Sequence, residues 1–374
     1  MCNTQAFEEL ELLGIRPKGS KKPRMVAVQA EDGGGGGDGE EGVATDGAVG
    51  SSGLALSEMS EARRVASVLL RMPFTLAFES RLRVLRRWLG ADREERLASI
   101  LMGQMPHTIT VRREHLLRDA LSQLRGYGLQ LRSPLRVTFL GIDGLEEAGI
   151  GEGVAKEFLV DVLKAGFDPA LGLFTSTPDG LLYPNPAAAL RVDDAYALFE
   201  FLGAILAKVL YEGILVELPL APFFTSKLLG RTNTVAELPS LDRRLFDSLM
   251  FLKQYDGDLE ALALTFAVEQ YTDETLPAAA RRTVALKPLG ADIPVSAANR
   301  LEYVFLVAHY RLNTQMRRPC DTFLRGFSEV VPSSWVGMFS PSELQLVLGG
   351  SDAPLDVDDW EANTSYSGGY HARH

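Results

Sequence analysis

Cysteine is almost missing from this chain: two in 374 residues, Cys2 and Cys320. That scarcity excludes a disulfide framework and any multi-cysteine zinc site, and it suits a reducing compartment, the cytoplasm or the nucleus. Histidine is short as well, with five residues, too few for a His-rich metal centre. Positive charge is in deficit, with 38 Lys and Arg against 49 Asp and Glu and a net charge of −11. A nucleic-acid binder needs a basic face to neutralise phosphates, so that class is set aside. No apolar run is long enough to cross a bilayer, which takes about 20 predominantly apolar residues. The most apolar stretch, Ala195 to Phe224, is interrupted by Glu200, Lys208, Glu212, Glu217, Pro219 and Pro222. The N-terminus has no charged segment followed by an apolar one, so no secretion signal is read there. No phosphate-binding G-x-x-x-x-G-K-[ST], no H-E-x-x-H and no G-x-S-x-G occurs, and Gly149-Ile-Gly151-Glu-Gly153 has the wrong spacing for a dinucleotide loop. "YDGDLE" (Tyr255–Glu260) lacks the later oxygen ligands of a calcium loop and reads as a tight turn.

What is present suffices for a large core: hydrophobic residues make up 46% of the chain and charged residues 23%. Residues 1–56 read as a disordered tail and linker, because Gln29 to Gly53, with its Gly33–Gly37 tract, holds almost no large apolar residue to offset ordering entropy. From Ser57 the pattern is mostly helical. Amphipathic helices are expected at Ser60–Met72, Glu79–Leu89, Asp92–Gly103 and Arg112–Leu124, with strands at Thr108–Val111 and Leu135–Phe139. A helix from Val154 to about Ala165 follows, and the turn residues of Phe167–Pro186 predict a hairpin. Asp193–Glu212 is apolar nearly all round, the pattern of a helix covered on several sides. Further on come a helix at Arg243–Gln254, strands at Leu262–Glu269 and Thr283–Leu286, and a long helix at Ser296–Gln315 with Leu301, Phe305, Ala308 and Leu312 on one side. A helix follows at Asp321–Val330. Ser340-Pro-Ser-Glu343 is a capping box that starts a last helix running to Leu348. The expected fold class is α+β, helix-dominated, with small antiparallel sheets.

Reactive groups are few. Cys320 follows Pro319 at an expected helix start, where a thiol can become more acidic, yet no His is near in sequence. A small residue at a helix start is the stronger reading. Cys2 sits in the tail, and His309 lies among apolar residues of a helix. Taken by itself, the chain reads as a binding or scaffold unit.

Ordered blocks of sequence carry a resemblance. They include "VRREHLLRDAL" (Val111–Leu121), "LRVTFLGIDGLEEAGIGEGVAKEFL" (Leu135–Leu159), "FDPALGLF" (Phe167–Phe174), "LYPNP" (Leu182–Pro186) and "FEFLGAILAKVLYEGILVELPLAPFFTSKLLG" (Phe199–Gly230). "ELPSLD", "IPVSAANRLEYV", "FLRGFSEVVP", "MFSPSELQLVLGG" and "YSGGYH" (Tyr366–His371) follow in order. Together they resemble the HECT family of ubiquitin ligases, most closely the subgroup with an upstream IQ motif.

The resemblance implies a bilobal domain. A larger N-terminal lobe receives a thioester-loaded ubiquitin-conjugating enzyme, and a smaller lobe carries the cysteine that accepts ubiquitin and passes it to substrate lysines. It implies no cofactor and no metal. Residues 57–106 then become a helical extension and 107–374 the N-terminal lobe, with a conjugating-enzyme-binding subdomain at about 238–293. Cys320 does not match the family's catalytic position and the cysteine-bearing lobe has no counterpart among the blocks, so the chain is expected to be inactive alone. The docking groove implied by the family maps to Leu249, Leu252, Tyr255, Leu262, Leu264 and Tyr303, with aliphatic walls and aromatic rims suited to an interface. A different class of reading is a non-catalytic module that binds conjugating enzyme or ubiquitin. The loop Gly149–Gly153 is shorter than the family's and lacks its Asp, and Ala155 replaces the family's Phe or Arg; the fold is expected to survive this.

Overall fold

The computed structural model describes residues 71–101, 107–141, 144–147, 152–271 and 282–350, together with 357, 360 and 364. The expected tail at 1–56, most of the helix expected at Ser60–Met72, and the Tyr366–His371 block lie outside them.

Along the chain the elements are α1 (Phe78–Leu101), β1 (His107–Arg112), α2 (Leu116–Leu124), β2 (Leu135–Leu140), α3 (Glu152–Phe167), β3 (Phe174–Ser176) and β4 (Leu182–Pro184). They continue with α4 (Ala195–Glu212), α5 (Pro222–Leu228), α6 (Arg243–Gln254), β5 (Ala267–Glu269), β6 (Thr283–Ala285) and α7 (Arg300–His309). A π-helical turn at Tyr310–Thr314 leads into α8 (Arg317–Val330), α9 (Ser333–Val336) and α10 (Pro341–Gly349). The helix-dominated α+β class stands.

The all-round apolar helix is the centre. Phe199, Leu202, Ile205, Leu206 and Val209 of α4 are wholly buried, and the helix stops where Gly213 turns left-handed (φ 71°) and Ile214 N–H donates to the Val209 carbonyl at 3.0 Å. That 6→1 bond closes a helix end that only a residue without a Cβ enters freely. α8 crosses α4 backbone to backbone. A Cβ at Gly203 would stand 2.0 Å from the Phe323 carbonyl oxygen, and one at Gly326 would stand 1.8 Å from that of Glu200. Around this crossing Phe174 stacks on Phe167 with centroids 3.9 Å apart and meets Phe199 at 5.6 Å and Phe323 at 6.0 Å. One aromatic hub thus joins α3, the β3–β4 hairpin, α4 and α8, and such ring pairs add to the burial they share.

The hairpin pairs antiparallel, Phe174 opposite Pro184, and so do β5 and β6, Ala267 opposite Ala285. The first sheet differs: β1 and β2 are parallel, from His107 opposite Leu135 to Arg112 opposite Leu140. Residues 113–134, including α2, form the crossover that a parallel pair needs. Arg112 ends the strand instead of opening the helix because Asp119 binds its N–H at 3.0 Å and its guanidinium at 2.7 and 2.8 Å. The Arg112 hydrogen bond holds the Asp119 carboxyl at about 2, well below the usual carboxylate range.

Three further boundaries depart from the pattern. α1 runs unbroken through Gly90, where the sequence suggested two helices. Gly90 faces open space, so its cost is about 1 kcal/mol relative to Ala. Buried Leu85, Trp88 and Leu89 anchor the helix before it, and Asp92 after it accepts from the Tyr211 hydroxyl at 2.7 Å and from Arg132 at 3.0 Å. The strand expected at Leu262–Glu269 shrinks to β5, because Asp258 accepts from the N–H of Glu260 and of Ala261 and winds the chain into a 3₁₀ turn, after which Ala263 is left-handed at φ 51°. The helix expected at Ser296–Gln315 takes a π turn, and its buried stripe is Tyr303, Val304, Val307 and Ala308. Leu301 and Phe305 lie 60% and 57% exposed instead.

Candidate functional site

The segment that carries the sequence-predicted site residues is built from strong local signals. Thr234 and Glu237 form a reciprocal capping box on the 3₁₀ helix Val235–Ser240. Asp242 then caps α6, its carboxylate accepting from Leu245 N–H at 2.9 Å. Both supply acceptors to helix-start N–H groups that have no partner within their own helix. α6 presents one apolar face inward, and α7 packs beside it. The Arg300 guanidinium donates to the Tyr255 carbonyl, joining the C-terminal end of α6 to the N-terminal end of α7. Below them Phe266 is wholly buried, with Tyr303 edge-on to it at 5.5 Å and the Lys287 ammonium 3.7 Å from its ring centroid. Lys287 is held there by Glu302 at 2.7 Å.

The six named residues divide by depth. Leu249, Leu252 and Tyr303 are buried and hold the segment together; burial also pushes the Tyr303 hydroxyl up from its ordinary value. Leu264 and Tyr255 are half-buried. Only Leu262 opens clearly to solvent, at 42%. Phe251, outside the six, is the most exposed aromatic of this segment at 64%, and its ring lies 5.4 Å from that of Tyr255. Its signal in the sequence is its phase: Leu245, Leu249 and Leu252 follow the helical repeat of an inward stripe, and Phe251 falls off it. Leu301 and Phe305 on α7, two of the four residues read from the sequence as one side of that helix, are exposed apolar residues of the same segment. Exposed apolar side chains of this kind can contact an apolar side chain of a partner.

Nucleophilic chemistry is not prepared at Cys320. It lies in the first turn of α8, 1% exposed, its N–H donating to the Met316 carbonyl. Burial pushes its thiol up to about 12, with the Lys227 ammonium pulling weakly the other way. A thiol displaced in that direction stays protonated at neutral pH. Among the described residues no group of His, Cys, Asp and Glu is arranged to hold a metal ion, and no helix is long and apolar enough to cross a membrane.

Comparison with known proteins agrees with the blocks quoted above. The model of the HECT-domain (ubiquitin-transferase) family matches residues 160–374, which begins after the Val111–Leu159 blocks. The chain is 39% identical over 318 residues to E3 ubiquitin-protein ligase UPL6 of Arabidopsis thaliana, covering 84% of this chain and 30% of that protein. It is 36% identical over 328 residues to Ubiquitin-protein ligase E3B of Homo sapiens, covering 85% and 30%. To E3 ubiquitin-protein ligase HUL5 of Saccharomyces cerevisiae it is 32% identical over 326 residues, covering 82% and 34%. The chain therefore spans about a third of the length of the curated relatives it matches. A family model covering more than half of the sequence, together with ligases that align over most of it, settles the kinship: the chain belongs to the HECT-domain family of ubiquitin transferases.

Proposed function

We propose that this chain is the conjugating-enzyme-docking portion of a ubiquitin transferase, with residues about 238–293 and the start of α7 as the docking subdomain. In this reading a thioester-loaded conjugating enzyme seats on the segment, and the whole protein passes ubiquitin to substrate lysines in the cytoplasm or nucleus. The extension at 57–106, of which α1 is the described α-helix, supports the lobe, and the accepting cysteine is not Cys320. The observation that carries the reading is Phe251, an aromatic left outside the core on a capped, well-packed helix of a HECT-family chain. Leu262 stands exposed in the same segment. Aromatic side chains, Phe among them, are enriched at interfaces, where a few large anchors carry most of the binding energy.

The depth of each residue decides which substitutions test this. Leu249→Ala and Tyr303→Ala remove core atoms, so they lose fold and binding together. Phe251→Ala and Leu262→Ala leave the core intact. We expect Phe251→Ala to weaken a conjugating enzyme, titrated by calorimetry or NMR, by about 10- to 100-fold, the range of a hot spot of 1.4–2.8 kcal/mol. Binding as tight as that of the parent chain in both exposed variants sinks the assignment.

A second expectation concerns the thiol. Incubation with activating enzyme, loaded conjugating enzyme and ATP yields no thiol-reducible ubiquitin adduct at Cys320. An adduct that disappears in Cys320→Ser while persisting in Cys2→Ser overturns that reading.

A further inference from the structure

A cavity of about 420 Å³ between α1, α3 and the end of α4 carries charge of the opposite sign to the chain. Its wall includes Arg93 and Arg96 from α1, Arg132 ahead of β2, Lys156 from α3, and Lys208 with Glu212 from α4. The protein as a whole has a net charge of −11, so five cations around one cavity are a local inversion.

Two carboxylates neutralise part of it. Glu212 pairs with Lys208, whose ammonium also donates to the Ser133 carbonyl at 3.0 Å. Asp92, behind the wall, is shared by Arg96 and Arg132 at 3.0 Å each and by the Tyr211 hydroxyl. Among the described residues the Arg93 guanidinium reaches only the carbonyls of Leu89 and Glu212, both at 3.4 Å, and the Lys156 side chain has no ion pair or hydrogen bond. The carbonyl end of α4 contributes roughly half a negative charge. Three positive charges are thus opposed by about half of one, in a concave site where salt screens less than on an open surface.

We propose that this cavity binds a compact, multiply charged oxyanion of the organic polyphosphate class, and that the bound anion fastens α1 to α3 and α4. The volume lies in the range of small-ligand sites, and guanidinium forks match phosphate oxygens. Because Arg93 and Arg96 belong to α1 while Lys156 and Lys208 belong to the layer behind it, one anion bridges elements far apart in the sequence.

The test uses the full chain with inositol hexakisphosphate as the probe, by calorimetry and by thermal unfolding at about physiological ionic strength. Binding is expected, with Tm rising by about 5 °C at roughly 100 times Kd. Lys156→Gln, an exposed and unpaired position, and Arg93→Gln are each expected to weaken it about tenfold or more, while Arg243→Gln on the exposed face of α6 leaves it unchanged. Absence of binding at millimolar probe overturns the proposal. So does equal weakening in Arg243→Gln, full binding in Lys156→Gln, or the same Tm rise with sulfate at matched ionic strength.

Discussion

Gly326→Ala is expected to destabilise the protein by about 4 kcal/mol or more, at the upper end of what single substitutions do. The added methyl would stand 1.8 Å from the Glu200 carbonyl oxygen and 2.7 Å from its carbon, both main-chain atoms of α4. Main-chain atoms in the middle of a helix cannot swing aside as a side chain can. α4 and α8 must separate, and separation opens the aromatic hub that Phe323 shares with Phe174 and Phe167. Overpacking alone costs typically 1–3 kcal/mol, and the lost ring packing is added to it. Gly90→Ala is the internal control, the same chemical change at a helical glycine with nothing within 4 Å of the new carbon. It is expected to be stabilising by up to about 1 kcal/mol. Denaturant unfolding of both variants of the full chain decides it, and midpoints shifted equally in the same direction would show that the α4–α8 crossing is not tight.

Neither glycine advertised its role. Gly203 and Gly326 sit in helical patterns where a glycine reads as a tolerated weakness, and their meaning comes from a helix more than a hundred residues away. Legible features were those whose physics is local. Arg243–Gln254 emerged with its expected bounds because Asp242 caps one end and Tyr255 leaves the helical region at the other. The Ser340 capping box, the hairpin around Pro178-Asp-Gly180, and the buried α4 were legible for the same reason, as patterns complete within a short window. The parallel β1–β2 pair was not, since strand direction depends on where a crossover returns the chain. The π turn at Tyr310–Thr314 is a second case. Asn313 on that turn accepts from Lys227 at 2.8 Å and donates to the Asn233 carbonyl at 2.9 Å, and these distant partners hold an irregular turn that the 3.6-residue repeat does not foresee. The candidate site divides along the same line. Apolar residues of a groove wall and of a core look alike in sequence, so the pattern groups buried Leu249, Leu252 and Tyr303 with exposed Leu262 and marks Phe251 only by its phase.

Arg81→Met is expected to cost about 3 kcal/mol at neutral pH, and much less in acid. Arg81 is 6% exposed and lies near the start of α1. Its guanidinium grips both oxygens of Glu343, at 2.8 and 2.5 Å, and donates to the Met338 carbonyl at 2.6 Å. Glu343 is also the third residue of the α10 capping box, accepting from Ser340 N–H at 2.8 Å. One carboxylate therefore closes the start of α10 and clamps α1 onto it. Met keeps much of the volume over Phe339 but leaves the carboxylate, with 22% of its side chain exposed, without its strongest partner; removing one member of a buried pair typically costs 3–5 kcal/mol, and this partial exposure sets the expectation at the lower bound. The Arg81 hydrogen bonds, against the opposing effect of burial, hold the Glu343 carboxyl below the usual carboxylate range. A carboxyl depressed in the folded state contributes its full stability above its unfolded pKa of about 4.3 and loses it as pH falls through the folded value. The parent chain should therefore lose this increment on acidification while Arg81→Met, which never had it, loses less. Denaturant unfolding at pH 7 and about pH 3 measures the difference directly: the gap between parent and variant narrows in acid if the Arg81–Glu343 pair is the clamp, and an unchanged gap at both pH values would assign the cost of the substitution to packing around Phe339 instead.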